Sequence, residues 1–108
     1  MTFEPLVQQQ LDRIVQRVVE TVPTHAIYLF GSYARGDQHK DSDLDIFVLT
    51  QDDSKRPIEY IHDIRHAIHR SGQLPVDVLA SPWQQFERMA QARPTLEYTI
   101  AKEGFRIY

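Results

Sequence analysis

Short apolar runs that alternate with stretches of helical periodicity restrict the fold of this chain more than any other feature. Apolar residues recur at steps of three and four over residues 7–22, which predicts a helix with one buried face. Further helices are predicted at residues 58–68, 83–89 and 96–101, and strands at residues 25–30, 43–49 and 75–80. This order predicts an α/β or α+β fold built on a mostly buried sheet.

Length and composition limit the classes of function. The chain has 108 residues, so we expect one domain over residues 1–108. Its net charge of −3 gives no general attraction to nucleic acid, and we expect no direct nucleic-acid substrate. Cysteine is absent, no apolar run approaches the ~20 residues of a membrane span, and no signal peptide is visible. We therefore expect a soluble cytoplasmic protein without a membrane partner.

Two aspartates open the second predicted strand, which is an unusual start for an apolar run. Side chains alternate along a strand, so Asp43 and Asp45 point to one face with Cα atoms roughly 6.6 Å apart. Two carboxylates so placed repel each other, and a divalent cation removes the conflict. Oxygen ligands without His or Cys suit Mg²⁺ or Mn²⁺. The alternative is an exposed loop end in which both aspartates cap turns beside Ser42.

A third carboxylate, Asp77, is the single charge inside the apolar run at residues 75–80. If its strand lies beside the strand of Asp43 and Asp45, three carboxylates converge. Such a group can hold two metal ions about 3.5–4 Å apart, which supports phosphoryl or nucleotidyl transfer. These three aspartates are therefore the candidate catalytic and metal-binding residues. Directly after this run, Ser81 and Pro82 predict the cap and first turn of the next helix.

A glycine and a serine follow the first predicted strand. Gly31 permits a tight turn, and Ser32 supplies a hydroxyl and a backbone N–H near a helix start. Free N–H groups at such a position bind phosphate well, although a plain strand-to-helix turn has the same sequence. Arg35 can reach a triphosphate with its guanidinium group or remain solvated, and the sequence leaves both alternatives open.

The spacing of these residues resembles a known superfamily. Gly31-Ser32, ten residues and then D-L-D are similar to the signature of the DNA polymerase β-like nucleotidyltransferases, and GSYARGDQHKDSDLDIFV resembles their minimal nucleotidyltransferase (MNT) branch. The resemblance implies a small mixed β-sheet flanked by helices. It further implies that Asp43 and Asp45 bind two catalytic Mg²⁺ ions, that Gly31 and Ser32 hold a triphosphate, and that Asp77 binds metal and activates the attacking hydroxyl.

The resemblance to MNT domains also implies a partner. MNT domains resemble the antitoxin half of HEPN–MNT toxin–antitoxin modules, in which some members transfer AMP from ATP to a tyrosine of the HEPN toxin and silence it. We take this as the leading hypothesis for function. A non-catalytic antitoxin that neutralises its toxin by contact is one rival. A nucleotidyltransferase acting on an aminoglycoside-like small molecule is the other.

Three histidines, His62, His66 and His69, fall on one predicted helical face. Such spacing is compatible with a zinc site, but the isoleucines of this helix lie on another face. We interpret the histidines as a solvated polar face.

Overall fold

Helices and strands alternate through most of the computed structural model, which describes residues 3–108. The helices are α1 (Pro5–Thr21), α2 (Ser32–Arg35), α3 (Pro57–Ala67), α4 (Trp83–Ala90) and α5 (Leu96–Glu103). The strands are β1 (Thr24–Phe30), β2 (Leu44–Thr50), β3 (Val76–Pro82) and β4 (Phe105–Arg106). Among the described residues, no helix is both long and apolar enough to cross a membrane.

The four strands form one mixed sheet in the order β3-β2-β1-β4. Strand β1 pairs antiparallel with β2 and with β4, whereas β2 pairs parallel with β3. The parallel pair is possible because α3 provides the crossover between β2 and β3. The predicted fold class, a small mixed sheet flanked by helices, is confirmed.

Each face of the sheet packs against a different pair of helices. The even-numbered side chains of β2 join the larger core with α1 and α3; they include Leu44, Ile46 and Val48. The odd-numbered Phe47 and Leu49 join a smaller core with residues of α4 and α5. Because side chains alternate along a strand, Asp45 belongs to this second face and lies beside the smaller core.

The predicted cap at Ser81 and Pro82 is wrong, because both residues extend strand β3. They pair in register with Leu49 and Thr50 of β2, and helix α4 begins only at Trp83. Proline is tolerated at the end of an edge strand, where a missing N–H removes little of the hydrogen-bond ladder. The pairing partners therefore decided the conformation of a segment whose sequence also suits a helix start.

Candidate functional site

Two of the candidate aspartates lie side by side on neighbouring strands. Asp45 of β2 and Asp77 of β3 are register partners in the parallel pair, and adjacent strands are about 4.8 Å apart. Asp77 is exposed, while Asp45 is half-buried. Asp43 lies one residue before β2 instead of inside it, but it too is half-buried and not an exposed loop residue. The structure therefore brings Asp45 and Asp77 together, whereas Asp43 lies just before the first residue of β2.

The electrostatics of Asp45 reflect this crowding. Burial raises the pKa of Asp45 above its ordinary 3.8, and the negative charges of Asp77 and Asp43 raise it further. The positive charge of Arg35 opposes the shift. Three carboxylates thus lie near one another in a partly buried place, and the positive charge of Arg35 balances them only in part. Carboxylate oxygens are the ligands that a hard divalent cation prefers, so these residues suit such an ion.

The carboxylates are not yet arranged as a finished metal site. Within residues 3–108, no three Asp, Glu or His side chains are gathered closely enough to hold one ion together. The backbone register already places Asp45 beside Asp77.

Gly31 packs directly against the Asp45 carboxylate. Its backbone has φ 75° and ψ −154°, a conformation that residues with a Cβ rarely adopt. A Cβ at this position would overlap the Oδ2 atom of Asp45. The carbonyl oxygen of Gly31 also accepts hydrogen bonds from the N–H groups of Ala34 and Arg35, each at 3.1 Å, so it anchors the short helix α2. Glycine is therefore required where the turn after β1 meets the carboxylate.

A cavity of about 390 Å³ opens beside this contact. Its walls are formed by Phe30, Gly31, Ser32, Arg35, Asp45, Leu96, Thr99 and Glu103. The first five residues come from β1, the turn at Gly31, α2 and β2, while the last three share one face of α5. The α5 wall was not among the residues predicted from the sequence. The i, i+3, i+7 spacing of its residues marks a helical face, but nothing in the sequence places that face opposite Asp45.

Arg35 lies in the wall of this cavity with its guanidinium group only partly engaged. Its Nε donates to the Asp37 carboxylate at 3.2 Å, and both side chains are exposed. Exposed ion pairs of this kind contribute little to stability, so Asp37 is readily exchanged for another anion. The position is compatible with a phosphate contact, which the sequence alone had left open.

Other candidates lie away from these carboxylates. His62 and His66 are exposed on α3, which packs on the opposite face of the sheet. His69 is also exposed, but it lies beyond the end of α3 at Ala67, so the three histidines do not share one helix as predicted. A larger cavity of about 510 Å³ lies near Glu4 and Lys40, but Glu4 is the single carboxylate in its wall. Neither place offers the paired carboxylates that nucleotide chemistry needs.

The fold and the paired carboxylates define a nucleotidyltransferase domain. Residues 11–107 match the nucleotidyltransferase domain family, and the chain belongs to it. The chain is 47% identical over 47 residues to the protein adenylyltransferase MntA of Shewanella oneidensis. That match covers 41% of this chain and about a third (34%) of the length of MntA.

Several solved structures are similar along most of this chain. One is a variant of the MntA–HpeT toxin–antitoxin complex, which aligns with a TM-score of 0.58 and 26% identity over 90% of this chain and 70% of the other. A second is a Shewanella oneidensis complex of a tri-AMPylated HEPN toxin with an MNT antitoxin. It aligns with a TM-score of 0.50 and 20% identity over 94% of this chain and 71% of the other.

Proposed function

We propose that this chain is an antitoxin that transfers AMP from ATP to a tyrosine of a HEPN-type toxin and thereby silences it. The observation that carries the proposal is the pairing of Asp45 with Asp77 next to Gly31. A Cβ at Gly31 would overlap the Asp45 carboxylate. Similarity to a protein adenylyltransferase and to toxin–antitoxin complexes supports the choice of acceptor.

In the proposed reaction, the tyrosine hydroxyl oxygen attacks the α-phosphorus of ATP. A new O–P bond forms, the bond from the α-phosphorus to the bridging oxygen breaks, and pyrophosphate leaves. Asp77 accepts the hydroxyl proton, a role that suits an exposed carboxylate. A tyrosine hydroxyl is a suitable acceptor because its pKa near 10 is well below that of an alkyl alcohol.

The remaining site residues bind and orient the nucleotide in this proposal. Asp43, Asp45 and Asp77 would hold two Mg²⁺ or Mn²⁺ ions, which supply charge neutralisation at the phosphates when bound. Gly31 and Ser32 present backbone N–H groups to the triphosphate, and Arg35 adds a guanidinium contact from the same cavity wall. The nucleotide would occupy the cavity that Gly31, Ser32, Arg35 and Asp45 share with α5.

Intact-mass spectrometry of the toxin tests the proposal. The product of the neighbouring gene is co-expressed with the wild type, with the Asp43→Asn/Asp45→Asn variant, and with Asp12→Asn/Asp53→Asn as a matched control. The control removes two exposed carboxylates that lie outside the site cavity. We expect mass steps of one or more AMP units with the wild type and the control only.

This experiment, together with a transfer assay that offers an aminoglycoside as acceptor, separates the rival functions. Neutralisation of the toxin by all three proteins without added mass would replace the proposal with a binding antitoxin. Transfer of AMP to an aminoglycoside but not to the toxin would replace it with a small-molecule nucleotidyltransferase.

A further inference from the structure

The order of the strands fixes the side from which an acceptor can reach the site, given the function proposed above. In a nucleotidyl transfer, the attacking and leaving oxygens lie roughly in line across the phosphorus. Asp45 lies on the middle strand, between Gly31 at the end of β1 and Asp77 on β3. If the triphosphate lies on the Gly31 side, the acceptor oxygen must approach from the β3 side.

Strand β3 is an edge strand with an open outer side. It is the terminal strand of the sheet, and within residues 3–108 only β2 pairs with it. The unpaired backbone groups of such an edge form a template for another extended chain. A strand added there would lie about 4.8 Å beyond β3, with alternate side chains on the same face as Asp77.

An exposed leucine stands beside Asp77 on this approach. Leu79 is two residues further along β3, so it points to the same face, and its side chain is 39% exposed. Its register partner is Phe47, which is 4% exposed and packs against Phe86 in the smaller core. Leu79 is therefore an exposed apolar side chain next to the candidate base, in register with a residue of the smaller core.

We propose that the edge of β3 is the docking surface for an extended segment of the acceptor protein, with Leu79 packed against an apolar side chain close to the acceptor tyrosine. An unpaired strand edge and a leucine recognise a peptide backbone and an apolar side chain. An aminoglycoside presents neither an extended peptide backbone nor an apolar side chain, so these two features favour a protein acceptor.

Two matched substitutions test the docking surface. Leu79→Ser removes the apolar contact on β3, and Ile58→Ser removes an apolar side chain that is 60% exposed on α3. The affinity for the neighbouring gene's product is measured by calorimetry without nucleotide, and AMP transfer is measured over a range of toxin concentrations. For Leu79→Ser we expect about a tenfold loss of affinity and a similar rise in KM for the toxin, with kcat and ATP binding unchanged. Ile58→Ser should match the wild type.

The possible results separate this inference from the proposed function. Wild-type transfer with equal affinity and KM for both variants would overturn the docking surface and leave the transferase intact. Absence of transfer, together with weaker toxin binding by Leu79→Ser alone, would overturn the transferase and support the docking surface.

Discussion

Substitution of Gly31 by alanine probes the contact between the turn after β1 and the Asp45 carboxylate. Two separate costs arise. The backbone at Gly31 has φ 75° and ψ −154°, which costs a residue with a Cβ about 1–3 kcal/mol. The new Cβ also overlaps the carboxylate, and relief of such overpacking costs about 1–3 kcal/mol more.

The sum predicts a large loss of stability from Gly31→Ala. It amounts to about 2–6 kcal/mol, against about 5–15 kcal/mol for the whole free energy of unfolding of a typical domain. Each 1 kcal/mol lowers the Tm of a domain of this size by about 4–8 °C. Even the lower limit therefore corresponds to a decrease in Tm of about 8 °C.

Thermal unfolding followed by circular dichroism measures the effect, and two further variants separate its causes. Gly36→Ala tests a positive φ alone, because Gly36 ends α2 with φ 81° and ψ 13°; we expect a cost of about 1–2 kcal/mol. Asp45→Ala removes the overlapping carboxylate. In that background, Gly31→Ala should cost only the backbone part of the total, because the carboxylate that the new Cβ would overlap is absent.

Two results would refute this reasoning. A Gly31→Ala protein that melts within about 2 °C of the wild type would show that neither the backbone strain nor the overlap is real. An equal loss from Gly31→Ala in the wild-type and Asp45→Ala backgrounds would show that Gly31 does not contact the carboxylate.

Two further predictions concern the paired aspartates. Asp77→Asn should lower kcat for AMP transfer by about 10²–10⁴-fold while ATP affinity changes little; normal turnover would show that Asp77 has no part in proton transfer. Burial and neighbouring carboxylates raise the pKa of Asp45 in the folded chain above the ordinary pKa of 3.8. Ionised Asp45 therefore opposes folding at any pH above about 3.8. With a metal chelator present, Asp45→Asn should therefore raise the Tm at about pH 7, and this gain should vanish below about pH 3.5. A gain that is constant with pH would contradict the raised pKa.

Local chemistry in the sequence determined the elements of this protein and several of the candidate site residues. The 3.6-residue period of the apolar side chains determined α1, which the structure places at Pro5–Thr21. Alternation along β2 separated Leu44 from Asp45, because side-chain direction follows directly from the period of a strand. Gly31 was predictable for the same local reason, since a tight turn needs a backbone without a Cβ.

Strand pairing lay beyond the sequence because it depends on contacts between distant residues. Asp77 became a neighbour of Asp45 only when β3 paired parallel with β2, and no local pattern specifies that order. The same pairing placed Ser81 and Pro82 in a strand, although their sequence suits a helix cap equally well.

The second wall of the site was decided entirely by tertiary structure. Leu96, Thr99 and Glu103 share one face of α5, and the sequence makes that face no different from any other solvated helical face. It faces the carboxylates because Ile100 on the same helix is fully buried in the smaller core with Phe47 and Phe86. The sequence by itself therefore determined which residues are candidates for the chemistry, whereas packing at the core determined which residues surround them.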